Sequence, residues 1–156
     1  MINLENNNIS KELFELLNGK ELEEKQHEAM MLLTVSEENW PHVAMVSVGE
    51  IIAITRCELR LAIWPNTNTT KNIIRNGKAT IVVVYNKKVY YIRLSLQKLP
   101  ILAEAKHPRE RFICTVTSFR EDEAKYADIL SGIQINLKDP DNVIKRWRET
   151  IDELLI

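Results

Sequence analysis

Leu59, Leu61 and Ile63 alternate with Arg60, Ala62 and Trp64, the period-two pattern of a half-buried strand. Pro65 ends that strand, because proline fixes φ and lacks the N–H that a ladder needs. Five small polar residues follow, Asn66-Thr67-Asn68-Thr69-Thr70. Asn72, Ile73, Ile74 and Arg75 then read as a short helix with its stop at Asn76-Gly77. A β-branched run resumes from Thr80 to Tyr85 as the next strand.

The flanking chain carries the same alternation. Ser10 caps a first helix with Leu13, Phe14, Leu16 and Leu17 on its inner side, ending near Asn18-Gly19. Residues 21–25 are charged and read as solvated. Residues 29–35 form strand one, and Pro41 opens strand two through Ser47 after a short turn, which makes a hairpin. Residues 51–55 form a third strand. After Asn86-Lys87-Lys88, residues 89–96 form a strand with Tyr90, Ile92, Leu94 and Leu96 on the core face. Residues 99–104 read as a further strand, and residues 111–119 as another. Ala124, Ala127 and Leu130, spaced by three, predict a helix over 122–130 that stops at Gly132. Residues 133–137 alternate as a short strand. Asp139 and Pro140 then start a last helix, with Val143, Ile144, Trp147, Ile151, Leu154 and Leu155 on one side.

Consecutive strands joined by short turns, with few helices, predict a small antiparallel β-barrel with flanking helices, an α+β protein and not a parallel sheet. Its interior is filled by side chains, so a ligand belongs on its outside or at a subunit boundary. No repeat or linker divides the 156 residues, which predicts one domain over 1–156.

Composition narrows the classes. A net charge of −1 argues against a nucleic-acid binder. No apolar run reaches the roughly 20 residues of a membrane span, and no basic-then-apolar leader opens the chain. Cys57 and Cys114 are far apart, form no metal pair and read as small buried hydrophobes. His27, His42 and His107 are scattered, so no metal site or catalytic triad is expected and no catalytic residue is assigned. These features point to the cytoplasm. Lys145, Arg146 and Arg148 read as a solvated face of the last helix. Tyr90 and Tyr91 read as ordinary strand aromatics.

The threonine turn holds the candidate chemistry. A helix N-terminus presents unpaired N–H groups and about half a positive charge, and hydroxyls beside it suit a phosphate. Thr69 or Thr70 serving as a plain helix cap accounts for the same residues. Trp64 lies beside the turn, where it lines a ring pocket or belongs to the core or an interface.

With its opening hairpin (Met31-Leu32-Leu33-Thr34-Val35 with Pro41-His42-Val43-Ala44-Met45-Val46-Ser47), its strand Leu59-Arg60-Leu61-Ala62-Ile63-Trp64 and the turn Thr67-Asn68-Thr69-Thr70-Lys71-Asn72-Ile73, the chain resembles the FMN-binding split-barrel family that includes pyridoxamine 5′-phosphate oxidase. The turn is similar to the family pattern Ser-x-Lys-x-x-Asn-Leu. The resemblance implies an antiparallel split barrel and a homodimer with FMN in a cleft between subunits. It implies cofactor contacts from Met45, Val46, Ser47, Trp64, Thr67, Asn68, Thr69, Thr70, Lys71 and Asn72. Thr69 stands where many members have a phosphate-binding lysine, and Ala44 where the oxidase branch has an arginine. Lys71 or Arg75 is then the candidate to replace the missing charge. The implied function is a flavin-dependent oxidoreductase acting on a small molecule, since a flavin supplies its own redox chemistry. The alternative is a non-catalytic dimeric split barrel that binds a ligand or a partner.

Overall fold

The computed structural model describes residues 6–156. Two short helices come first, α1 (Lys11–Leu16) and α2 (Leu22–Lys25). Four strands follow: β1 (Glu28–Val35), β2 (Pro41–Ser47), β3 (Ile51–Ala53) and β4 (Glu58–Ile63). Then come α3 (Asn68–Asn76), β5 (Lys78–Tyr85), β6 (Lys88–Lys98), β7 (Glu110–Asp122), β8 (Ile133–Gln134) and α4 (Pro140–Leu154). The strands make one antiparallel sheet in the order β2-β1-β5-β6-β7-β4-β3, with β8 on β1. The sheet curls into a half-barrel, the split-barrel architecture that the alternation predicts. Among the described residues, no helix is long and apolar enough to cross a membrane.

Local chemistry explains most boundaries. The Ser10 hydroxyl accepts from the Leu13 N–H at 3.2 Å and starts α1, whose Leu13 and Leu16 are buried. Asn86 and Lys87 both take positive φ, so β5 and β6 join through a tight two-residue turn that matches strand twist. On β6 the buried side chains are Tyr90, Ile92, Leu94 and Leu96, the face that alternation selects. Tyr90 stacks on Phe119, with ring centroids 5.9 Å apart, and its hydroxyl donates to Glu12 of α1. Gly77 ends α3 in the left-handed region at φ 68°, where a side chain would be strained.

The last helix closes the barrel. Ile144, Trp147, Ile151 and Leu154 are buried, while Leu155 is exposed. Trp147 lies flat on Gly49: a Cβ there would fall 1.9 Å from the indole, so only glycine permits this approach. Arg60 donates to the Leu154 carbonyl at 2.7 Å, and Arg111 to the Glu153 carbonyl at 3.0 Å. Two guanidinium groups thus satisfy carbonyls that the helix end leaves open.

Four expectations from the sequence are corrected. Residues 122–130 are not a helix: β7 runs on to Asp122, opposite Val89, and Tyr126 and Leu130 beyond it are exposed with nothing to pack on. Residues 99–104 are not a strand: Leu99 makes one bond to Arg111 and the chain then turns. Residues 21–25 are not wholly solvated, because Leu22 anchors α2 in the core. Cys57 is exposed, and only Cys114 is buried. The two strands assigned to 51–55 and 133–137 are shorter than expected, at Ile51–Ala53 and Ile133–Gln134.

Candidate functional site

Trp64 follows β4, and Asn66, in the left-handed region at φ 65°, reverses the chain towards α3. Asparagine tolerates that conformation better than most residues. The helix cap is Thr67, not Thr69 or Thr70: its Oγ1 accepts from the Thr70 N–H at 3.1 Å. The Thr67 hydroxyl donates to Thr70 Oγ1 at 3.0 Å, and Thr70 Oγ1 donates to the Trp64 carbonyl at 2.5 Å. This chain of hydroxyls locks the turn against the end of β4. Thr69 is buried and takes no part in it.

The network leaves a remainder. Of the first N–H groups of α3, that of Thr70 goes to Thr67 Oγ1 and that of Lys71 to the Thr67 carbonyl at 3.0 Å. The N–H groups of Asn68 and Thr69 have no acceptor within the described chain. They and the helix dipole are what an anion would meet there. Neither candidate cation reinforces them by a contact at the turn. Lys71 is exposed and makes no ion pair among the described residues. Arg75 donates to the Val35 carbonyl and to Asn72 Oδ1, while Asn72 Nδ2 donates to Thr34 Oγ1 at 3.0 Å. Asn72 and Arg75 therefore tie α3 to β1.

On β2 the three candidate residues part company. Met45 is exposed, Val46 puts its side chain in the core, and Ser47 is buried. Glu50 Oε1 accepts from the Ser47 N–H at 3.1 Å and from its hydroxyl at 2.8 Å. Glu50 also lines a pocket of about 170 Å³ with Trp64, Arg109, Arg146, Trp147 and Thr150. Glu50 thus connects Ser47 to Trp64, two residues that the sequence assigned to one site without showing how they meet.

Arg109 stacks on Trp64, with its guanidinium carbon 3.7 Å from the ring centroid. It makes no hydrogen bond or ion pair among the described residues, and its Nε is buried without a partner. Burial presses against its charged form, Arg146 adds to that pressure, and Glu50 and Glu153 oppose it. Burial also pushes the Glu50 carboxyl above the usual carboxylate range; the Ser47 bonds and Arg109 pull the other way. Neither Glu50 nor Arg109 is marked by the sequence, whereas Lys145, Arg146 and Arg148 lie on the solvated face expected of them, from which Arg146 also borders this pocket. No local pattern marks an arginine in a polar loop as the neighbour of a tryptophan on another strand.

A groove of about 840 Å³ lies at the other end of α3. Thr34, Val35, Asn76, Gly77, Arg93 and Ser95 are among the residues that line it, and none of the candidate cofactor residues does. No cluster of metal-ligating side chains occurs among the described residues.

No protein-family model matches the chain. Among solved structures, it is similar to a candidate pyridoxamine 5′-phosphate oxidase from Lactobacillus delbrueckii, with a TM-score of 0.59 and 14% identity over 77% of this chain and 99% of the other. It is also similar to an FMN-binding protein from Syntrophomonas wolfei, with a TM-score of 0.50 and 15% identity over 73% of this chain and 88% of the other. At such identities the likeness speaks to the fold, which is the pyridoxamine 5′-phosphate oxidase-like split barrel. In sequence the chain is 49% identical to the uncharacterized protein YclD of Bacillus subtilis (strain 168), over 95% of this chain and 96% of that one. The chain belongs to the family of that Bacillus protein, built on the split-barrel fold.

Proposed function

We propose that this chain binds FMN at the start of α3 and acts in the cytoplasm as a flavin-dependent oxidoreductase on a small molecule. The observation that carries the reading is the pair of free N–H groups of Asn68 and Thr69, at the N-terminus of a nine-residue helix that directly follows a barrel strand. The residues present fit a phosphate: two unengaged N–H donors, the helix dipole, and the Thr69 hydroxyl, which is outside the Thr67–Thr70 network. Trp64 and the strand residues Met45, Val46 and Ser47 then border the ribityl chain or the ring. The bound flavin supplies the hydride or electron chemistry, and the chain holds and orients it. The likeness of fold to a protein described as FMN-binding supports this.

The working unit in this reading is a homodimer. β2 ends the sheet, and Val35, Trp40, Val43 and Met45 of its hairpin are exposed. A second copy over this hairpin would cover these side chains and close the cofactor cleft.

An FMN titration of the purified protein, followed by absorbance, tests the reading. Hydrogen bonds to a charged acceptor contribute about 1.5–3 kcal/mol each, so Thr67→Val with Thr69→Val, which removes the Thr69 hydroxyl and the cap that orders the two free N–H groups, should weaken binding by roughly two orders of magnitude. Valine at 67 also removes the cap, a loss of about 1 kcal/mol, so thermal stability is measured alongside. Thr69→Lys should tighten binding. Equal affinity in the three proteins would remove the turn as the phosphate site. No binding by the unmodified protein at high micromolar FMN would favour a non-catalytic, ligand-binding dimer. That second reading draws support from the commitment of Arg75 to Val35 and Asn72, which takes one of the two candidate cations away from the turn.

A further inference from the structure

We propose that Arg109 and Arg146, with Trp64 as a wall, form an oxyanion-binding site separate from the threonine turn, one that takes the carboxylate or phosphate group of a small molecule. The pocket they line measures about 170 Å³, room for such a group and little more.

The arginines at this end of the barrel are engaged unequally. Arg60 and Arg111 spend their guanidinium N–H groups on main-chain carbonyls: Arg60 on Leu154, Arg111 on Glu153 and Pro100. Arg109, two residues from Arg111, spends none. Its guanidinium carries five donors in a planar fork and remains charged at all ordinary pH. Stacking on Trp64 orients the fork without using a donor. The Nε of Arg109, like those of Arg60 and Arg111, is buried without a partner, but of the three only Arg109 has no other guanidinium N–H engaged by the protein, which leaves its fork open to an anion.

The acidic neighbours do not fill that role. Glu50 faces Arg109 but lies beyond ion-pair distance, and its Oε1 is taken by the N–H and hydroxyl of Ser47. Glu153 is engaged elsewhere: its Oε1 accepts from the Lys106 N–H at 3.0 Å. Arg146 brings a second guanidinium to the same pocket, without an ion pair of its own among the described residues. The pocket thus sets two guanidinium groups, that of Arg146 on the exposed side, against the single carboxylate of Glu50, a surplus of positive charge that an anion would offset. An arginine pair suits a carboxylate or phosphate, because the fork meets two oxygens at once.

The test uses the protein without flavin, so its outcome is independent of the FMN reading. The indole N–H signals of Trp40, Trp64 and Trp147 are followed by NMR during titration with inorganic phosphate or acetate at constant ionic strength, with chloride as the balancing salt. Trp64 is assigned from Trp64→Phe. We expect a saturable shift of the Trp64 signal, and a loss of affinity of about tenfold or more in Arg109→Met, which keeps the stacked volume and removes the charge. Arg75→Met, at the far end of α3, should bind as the unmodified protein does. Saturation by phosphate but not acetate would assign the site to phosphate groups, and the reverse to carboxylates. No saturable shift with either anion, or the same affinity in Arg109→Met, would overturn the proposal.

Discussion

The threonine turn and the arginine pocket lie on either side of Trp64, and they use their polar groups in opposite ways. In the turn two of the three threonine hydroxyls have internal partners: Thr67 caps the helix and Thr70 bonds to the Trp64 carbonyl, while the Thr69 hydroxyl and two N–H groups remain. In the pocket, Arg109 has no partner at all. A motif rich in hydroxyls looks like a ligand cradle in sequence, yet most of those hydroxyls hold the backbone. The free positive charge comes from a loop that carries no motif. A tightly satisfied network contributes to stability, and an unsatisfied group stores binding capacity at some expense to stability. The two regions should therefore respond differently when each is perturbed.

The largest effect should come from undocking the wall of the pocket. Trp147→Ala removes a buried indole and should lower stability by about 3–5 kcal/mol, measured by chemical denaturation. The turn rests on α3, which packs on β1, β2 and β6. An unchanged stability would mean that α4 does not close the barrel through Trp147.

A middle-sized effect should separate the cap from the cradle. Aspartate is at least as good a cap as threonine, so Thr67→Asp should hold stability within a few tenths of a kcal/mol. Its charge would sit against a bound phosphate and should weaken FMN by about tenfold or more. If affinity holds along with stability, Thr67 is a cap and nothing else.

The smallest effect concerns whether Arg109 is already neutralised by Glu50. Burial raises the Glu50 carboxyl above its ordinary value of 4.5, so the folded protein holds that proton more tightly than the unfolded chain. The associated stability is present below pH 4.5 and is lost as pH rises through the raised value. Glutamine cannot ionise, so Glu50→Gln should gain stability relative to the unmodified protein as pH rises through that window, then level off. Denaturation midpoints from pH 4 upwards check the sign. A variant that instead falls behind as pH rises would show that Glu50 is held charged by Arg109, and the contrast between the two regions would weaken.

Some features of this molecule were decided by local sequence. Strict alternation on β6 places Tyr90, Ile92, Leu94 and Leu96 inside, because a strand can bury only one set of alternate residues on a face. Ser10, Gly77 and the Asn86-Lys87 pair set helix and hairpin ends through their own backbone and side-chain preferences. Enough strands in short succession then leave a curled antiparallel sheet as the way to bury those faces. Local pattern failed over residues 122–130, where the spacing of Ala124, Ala127 and Leu130 suits a helix but no surface is there to receive it. Periodicity states which face would be buried; only packing states whether anything covers it. The same limit explains the site. The sequence marks a threonine cap here but puts it at Thr69 or Thr70; that it is Thr67 depends on where the chain leaves β4 and α3 begins. That Arg109 lies on Trp64, near Arg146 and out of reach of Glu50, depends on three separate elements meeting at one end of the barrel. A charge without a partner is a property of everything around it, and that was decided only when the chain had folded.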